Sequence, residues 1–182
     1  MFDQMEARSL RLFFGLPLPL DLCENLGQWR RNHPGIEGWS RAEGLHLTLA
    51  FLGQRPLTSL PGLEGIARSI AARHGEMDLR TAALGSFSHS GTTRLLWLGV
   101  CPSQALAALA EDLRRNLVTA GEVIDAKPFH PHVTLARFRQ AQPMASFTDP
   151  PVQEFTVGDL TLFESRPRGC YAGLRSWRLQ RV

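Results

Sequence analysis

Apolar and polar residues follow two different spacings along this chain, one typical of strands and one typical of helices. Short apolar runs and alternating stretches predict strands at 9–16, 45–52, 77–87, 94–100, 132–138, 153–163 and 171–180. Apolar residues three and four positions apart predict helices at 19–32 and 59–74, and a third that Ser103 caps and Gly121 ends. The two element types alternate irregularly, with hairpin-like pairs of strands. That order favours an α+β fold with an antiparallel sheet over a doubly wound parallel one.

Length and composition fit a folded protein that can bury a real core. The chain has 182 residues, of which 43% are hydrophobic, enough for one domain or for two small lobes that share an interface. No apolar run reaches the ~18 residues of a membrane span, and the first twenty residues lack the shape of a secretory signal. Three widely spaced cysteines match no disulfide or metal pattern. We therefore expect a cytoplasmic protein without membrane association.

A five-residue sequence occurs twice, as HLTLA from residue 46 and as HVTLA from residue 132. Because side chains alternate between the two faces of a strand, His46 and Thr48 share one face of the first copy. His132 and Thr134 share one face of the second copy in the same way. Each copy therefore presents an imidazole, a hydroxyl and a small alanine on one surface, with large apolar residues behind it.

Two such surfaces facing each other across a cleft would form an acid–base site. One neutral imidazole can take a proton from water while the other, protonated, gives a proton to a leaving oxygen, because the ordinary histidine pKa is about 6.5. The threonine hydroxyls can donate hydrogen bonds to phosphate oxygens as negative charge builds up.

Two other interpretations of the histidines stay open. A histidine in a strand is most often a hydrogen-bonded structural residue, and a zinc ion would need three or four ligands. His130, two residues before His132, is a candidate for a further ligand, but Pro131 favours a bend of the strand there. We therefore predict no metal and no other cofactor.

Several longer blocks occur in order over nearly the whole chain: RLFFGLPLP, LHLTLAFLG, RLLWLGV, FHPHVTLARF, LFES and GCYAGLRSW. They resemble the two-histidine phosphoesterase superfamily, whose signature is a pair of His-x-Thr-x motifs. More closely, they resemble the bacterial and archaeal RNA 2′,3′-cyclic phosphodiesterases, also called 2′-5′ RNA ligases. The resemblance implies one bilobal α+β domain over residues 1–182, with two similar lobes around a central cleft. Each lobe would consist of an antiparallel sheet with helices outside.

The resemblance also implies an activity and a set of roles. The activity is metal-independent hydrolysis of an RNA 2′,3′-cyclic phosphate to a 2′-phosphomonoester, with 2′-5′ ligation as its chemical reverse. By motif order, His46 would be the proton donor and His132 the proton acceptor. Thr48, Thr134 and Arg137 would bind the phosphate. Arg137 would face away from His132 in a regular strand, so either the strand bulges near this arginine or its side chain reaches round the strand end.

Other residues are weaker candidates for contact with the substrate. Tyr171 and Phe51 could stack on a base, although Phe51 shares the predicted core face, which favours packing. Three tryptophans are expected in the core: Trp39, Trp97 and Trp177. Three arginines in loops are candidates for an RNA track, with solvated surface as the simpler interpretation: Arg94, Arg166 and Arg168.

The expected partner is RNA or a nucleotide with a 2′,3′-cyclic phosphate, bound by a monomer that needs no protein partner. A net charge of +3 and nineteen arginines against one lysine permit an anionic ligand without identifying it. Three alternatives stay open. The chain could act on small cyclic nucleotides, bind RNA ends without catalysis, or serve mainly as a ligase.

Overall fold

The computed structural model describes residues 8–87 and 91–181, so the segment considered for a secretory signal lies partly outside the described residues. In the described part the chain forms eight strands and three α-helices. In order, they are β1 (Ser9–Pro17), α1 (Leu20–Arg31), β2 (His46–Pro56), α2 (Leu60–Ala71), β3 (Met77–Gly85), β4 (Thr92–Val100), α3 (Gln104–Thr119), β5 (His132–Pro143), β6 (Glu154–Val157), β7 (Asp159–Arg166) and β8 (Cys170–Arg178).

The predicted strand 153–163 is wrong as one element, because the chain breaks at Gly158 into β6 and β7. The two pieces pair with different neighbours: β6 lies beside β3, and β7 lies beside β1. The chain therefore crosses at this glycine from one half of the sheet to the other. Apolar patterning does not show such a crossing, since both pieces alternate as strands do.

The strands pair in the order β6-β3-β4-β5-β2-β1-β7-β8, and every pairing between them is antiparallel. The expected α+β class is confirmed. The order divides into two four-stranded halves, which meet where β2 lies beside β5. Leu47 pairs with Val133 at this junction. The two lobes are not successive stretches of sequence, because β7 and β8 return to the half that contains β1 and β2.

The helices pack their apolar faces into a core that also contains the apolar residues of β2 and β5. The α3 helix begins as predicted, since the Ser103 hydroxyl accepts a hydrogen bond from the backbone N–H of Leu106. The α3 helix packs against α2 and β2, and its buried leucines face the core. Burial of each leucine contributes roughly 1.5–3 kcal/mol to stability. This packing holds the two motif strands side by side and leaves their other face available for polar residues.

A β-bulge interrupts both motif strands at the same place. In each copy, the threonine and the alanine of the motif pair with consecutive residues of the neighbouring strand, so the leucine between them, Leu49 or Leu135, is the extra residue. The alternation of faces is therefore reversed beyond each bulge. Phe51 and Arg137, each five residues after a motif histidine, consequently lie on the same face as the histidines, and both line one cavity there.

Candidate active site

The two motif histidines lie on neighbouring strands, directly beside the junction between the lobes. The cross-strand pair at this junction joins the leucine after His46 to the valine after His132. Continuing the antiparallel register by one residue places His46 across from Thr134, and Thr48 across from His132. The repeated motifs thus form a patch in which each imidazole faces the threonine of the other copy.

Both imidazoles are oriented by the same backbone contact. Nδ1 of His46 lies 2.6 Å from the carbonyl oxygen of Gly44, and Nδ1 of His132 lies 2.7 Å from that of His130. A carbonyl oxygen can only accept a hydrogen bond, so each Nδ1 carries a proton and donates it. Nε2 of each ring is left as the nitrogen that can exchange protons with a ligand.

His46 is enclosed by aromatic rings and is only 9% exposed. The rings of Phe13, Tyr171 and Phe163 lie with their centres 4.6, 4.7 and 5.2 Å from that of His46. Tyr171 also meets Phe13 edge-on at 5.5 Å. Tyr171 therefore forms part of the wall around His46, and its contacts on this side are with protein rings.

Burial lowers the pKa of both histidines. Burial is the main reason that the pKa of His46 falls to about 4, and the charges of His132, when it is protonated, and of Arg137 lower it further. The pKa of His132 is also lowered by burial, with smaller contributions from His130 and Arg137. The hydrogen bonds to backbone carbonyls act in the opposite direction at both sites. Both imidazoles are therefore neutral at pH 7 in the free protein.

A second aromatic group surrounds His132. The ring centres of Phe87 and Trp97 lie 5.3 and 5.8 Å from that of His132. Trp97 lies against Gly85, where any Cβ would be 2.1 Å from the indole ring. The prediction of Trp97 as a core residue is wrong, because it pairs across from Thr134 and so shares the site face. Trp39 and Trp177 do pack against the core, as expected.

A cavity of about 360 Å³ brings most of the predicted site residues together. Its lining includes His46, Thr48, Phe51, Thr134, Arg137 and Tyr171. The expectation that Phe51 packs in the core is wrong, since the bulge at Leu49 turns its ring into this cavity. His132 is not among the lining residues and lies two residues from Thr134 on β5.

Arg11 is a residue of this cavity that sequence reasoning missed. Its guanidinium lies over the ring of Phe51. The signal in the sequence is its position two residues before Phe13 on an apolar strand, which places both side chains on one face. The Trp97–Gly85 contact has no comparable signal, because it depends on which strands become neighbours.

The arginines proposed for an RNA track have mixed surroundings. Arg166 lines the cavity and forms an ion pair with Glu164 at 2.7 Å. Arg94 donates a hydrogen bond to the carbonyl oxygen of Arg139. The side chain of Arg168 lies outside the described residues. Of the three, Arg166 alone is a described wall residue of the cavity.

A metal-binding group and a membrane-spanning helix are two features that the described residues lack. Within residues 8–87 and 91–181, no three His, Cys, Asp or Glu side chains come together as a metal-binding group. In the same ranges, each helix is too short or too polar to cross a bilayer. The histidine His130, considered as a metal ligand, packs its ring against Trp97 with centres 5.0 Å apart.

Two lobes of antiparallel sheet, each supplying one histidine and one threonine to a shared face, define a two-histidine phosphoesterase fold. The family model of the 2′-5′ RNA ligase superfamily matches residues 18–168. The chain belongs to this superfamily.

Known relatives match the chain over most of its length. The RNA 2′,3′-cyclic phosphodiesterase of Escherichia coli K12 is 34% identical over 176 residues, covering 93% of this chain and 96% of the relative. The enzyme of the same name from Thermus thermophilus is 31% identical, covering 88% and 85%. The crystal structure of E. coli LigT with 3′-AMP superposes with a TM-score of 0.80 at 33% identity, covering 94% of this chain and 99% of that one.

Proposed function

We propose that this protein hydrolyses RNA 2′,3′-cyclic phosphate ends to 2′-phosphomonoesters, with His46 as proton donor and His132 as proton acceptor. The observation that carries the proposal is the matched orientation of the two rings. Each donates its Nδ1 proton to the carbonyl oxygen two residues earlier, which leaves both Nε2 atoms for chemistry beside the motif threonines. The relatives named RNA 2′,3′-cyclic phosphodiesterase support the reaction.

In the proposed step, the oxygen of a water molecule attacks phosphorus and its proton passes to Nε2 of His132. The bond between phosphorus and the ribose 3′-oxygen breaks, and Nε2 of His46 gives its proton to that oxygen. The products are a 2′-phosphomonoester and a free 3′-hydroxyl. His132 then returns to its neutral form by proton exchange with solvent, and His46 regains its proton when the next substrate binds.

Three side chains are proposed to bind the phosphate. The hydroxyls of Thr48 and Thr134 would donate hydrogen bonds to the non-bridging oxygens, and both threonines line the cavity. The guanidinium of Arg137 would add a charge-assisted hydrogen bond. These donors are most useful as the phosphorus becomes five-coordinate and its oxygens gain charge, so they would lower the barrier as well as bind substrate.

The proton-donor role sets a condition on His46. Its pKa of about 4 in the free protein leaves the ring neutral at pH 7, yet a donor must be protonated when substrate is bound. The negative charge of the cyclic phosphate, placed beside the ring, raises the pKa. Substrate binding and protonation of His46 are therefore linked in this proposal.

The experiment is an assay of the chelator-treated protein on an oligonucleotide with a 2′,3′-cyclic phosphate. The product is identified by phosphorus NMR, which distinguishes a 2′-phosphate from a 3′-phosphate. We expect full activity with chelator and a 2′-phosphate product. A 3′-phosphate product would reverse the choice of leaving oxygen, and activity that requires an added metal ion would contradict the mechanism.

The alternatives give different results in the same assay. A protein specific for small nucleotides would act on nucleoside 2′,3′-cyclic phosphates and neglect the oligonucleotide. A binding module would hold the cyclic end for hours without releasing product. A ligase would join the cyclic end to an RNA 5′-hydroxyl faster than water opens it, without nucleotide cofactor.

We further propose that residues 1–182 act as one bilobal unit, a cytoplasmic monomer without cofactor. Both motif histidines, both threonines and Arg137 come from one chain, so the proposed site needs no second copy. The cysteines Cys23, Cys101 and Cys170 are all free, which fits a reducing compartment. Size-exclusion chromatography with light scattering would test the monomer.

A further inference from the structure

Arg11 lies on the site face of β1, and its surroundings leave its positive charge available to a ligand. Its guanidinium carbon lies 4.8 Å from the centre of the Phe51 ring, within the range of a cation–π contact. Across residues 8–87 and 91–181, no carboxylate forms an ion pair with it. The side chain lines the same cavity as Thr48 and Thr134.

The repeat shows why this position matters. Phe51 and Arg137 occupy equivalent places, five residues after a motif histidine and just beyond matching bulges. On β5 that place carries a guanidinium directly. On β2 it carries a ring, and the ring holds the guanidinium of Arg11 from the next strand. The two motif strands thus each bring one arginine to the cavity, in addition to Arg166, which is paired with Glu164. Because the two motif strands are antiparallel, Arg11 and Arg137 lie towards opposite ends of the site.

We infer that Arg11 is a second phosphate-binding residue of this site and that Phe51 positions it. The inference rests on the proposed function. A guanidinium held over a ring by a cation–π contact still has N–H groups available for a ligand, and these suit the oxygens of a phosphate ester. The ligand is either the reacting cyclic phosphate or the neighbouring phosphodiester of an RNA strand, two groups with the same chemistry.

Product binding measures this role without turnover. Calorimetry would compare the dissociation constants of two products. Adenosine 2′-monophosphate has one phosphate, whereas the dinucleotide of two adenosines that ends in a 2′-phosphate also has the phosphodiester between them. We expect Arg11→Gln to weaken binding of the dinucleotide about tenfold. Equal weakening of the mononucleotide assigns Arg11 to the reacting phosphate, and no weakening of the mononucleotide assigns it to the phosphodiester. Unchanged binding of both ligands would overturn the inference.

The matched control is Arg175→Gln on β8. Arg175 is exposed, as Arg11 is, but it pairs with Glu64 of α2 and lies outside the cavity. We expect this variant to bind both ligands as the wild type does. Because the readout is binding, a wild type that binds both products but opens no cyclic phosphate would refute the proposed function while leaving the role of Arg11 measurable.

The positioning role of Phe51 has its own test. Phe51→Tyr keeps the ring and should bind the dinucleotide like the wild type. Phe51→Leu keeps apolar packing but removes the ring, so it should lose most of the affinity for the dinucleotide that Arg11→Gln loses. The double variant Arg11→Gln with Phe51→Leu should be no weaker than Arg11→Gln alone, since both act through one contact. The positioning role would be overturned if the double variant lost affinity by the product of the two single losses, or if Phe51→Leu kept the wild-type affinity.

Discussion

At the scale of single residues, the site depends on how the backbone fixes each imidazole. The sequence predicts that His46 and His132 share a face with a threonine, because alternation along a strand requires only the spacing. It does not predict the carbonyl groups of Gly44 and His130 that accept the Nδ1 protons. Nor does it predict the depth of burial that lowers both pKa values. Those properties come from the segments that lead into the strands.

The lowered pKa values predict the pH dependence of the reaction. In the proposed mechanism, activity increases with pH while the base His132 loses its proton and decreases while the acid His46 loses its proton. Both pKa values lie below the ordinary histidine value in the free protein, so the optimum of kcat/KM should lie below pH 6.5. The optimum of kcat should lie higher, because bound phosphate raises both values. An optimum of kcat/KM above about pH 7.5 would contradict the role of burial.

The motif threonines should act mainly on the rate of the chemical step. Thr48→Val and Thr134→Val keep the shape of the side chain and remove the donor, so each should lower kcat ~10–100-fold with little change in melting temperature. Thr156→Val at the sheet edge, where the hydroxyl bonds to Asp78, is the control and should keep the wild-type kcat. Steady-state kinetics on one dinucleotide that ends in a 2′,3′-cyclic phosphate measures kcat and KM of all three variants. A threonine variant that changes only KM would act in ground-state binding instead.

At the scale of elements, the paired bulges decide which side chains reach the site. The positions of most strands and all three helices could be predicted from apolar spacing. The bulges at Leu49 and Leu135 could not, because a bulge appears only in the pairing of two strands. Strict alternation therefore placed Phe51 in the core wrongly and left Arg137 with two open explanations, of which the bulge is the one observed. The crossing at Gly158 was hidden for the same reason.

The contact between β3 and β4 behind His132 gives a prediction for one glycine. Gly85→Ala would place a Cβ 2.1 Å from the Trp97 ring, so the indole must move away from its place beside His132. We expect a loss of ~1–3 kcal/mol in unfolding free energy and a lower kcat/KM. Gly65→Ala on the exposed side of α2, where a Cβ meets nothing within 4 Å, should instead gain up to ~1 kcal/mol. Denaturant unfolding measures the free energy of unfolding of both variants. Equal stability of Gly85→Ala and Gly65→Ala would contradict the close contact between Gly85 and Trp97.

At the scale of the whole molecule, the two lobes share one core although the lobe with β1, β2, β7 and β8 is not a continuous stretch of sequence. The resemblance predicted two similar lobes, but the return of β7 and β8 to the first lobe follows from topology alone. The α3 helix packs on both α2 and β2, and one cluster of buried residues includes Leu47 and Val133 from the two sides of the junction. The motif histidines are thus fixed relative to each other by the same packing that stabilises the fold.

Because the core is shared, the lobes should unfold together. We expect one calorimetric transition whose enthalpy equals the van't Hoff enthalpy. Product binding should raise its midpoint, since in the proposed site the product would contact both motif strands. Two separable transitions would show that the lobes are independent folding units and would contradict the single shared core.

The central claim is that two imidazoles from different lobes act on one phosphate, and single-turnover rates of histidine variants test it most directly. His46→Ala and His132→Ala should each lower the rate at least ~100-fold, and the double variant should be within about tenfold of the slower single one, because the residues act as a unit. The assay uses chelator-treated, folded protein saturated with a cyclic-phosphate oligonucleotide. Either single variant keeping more than about a tenth of the wild-type rate would contradict the account.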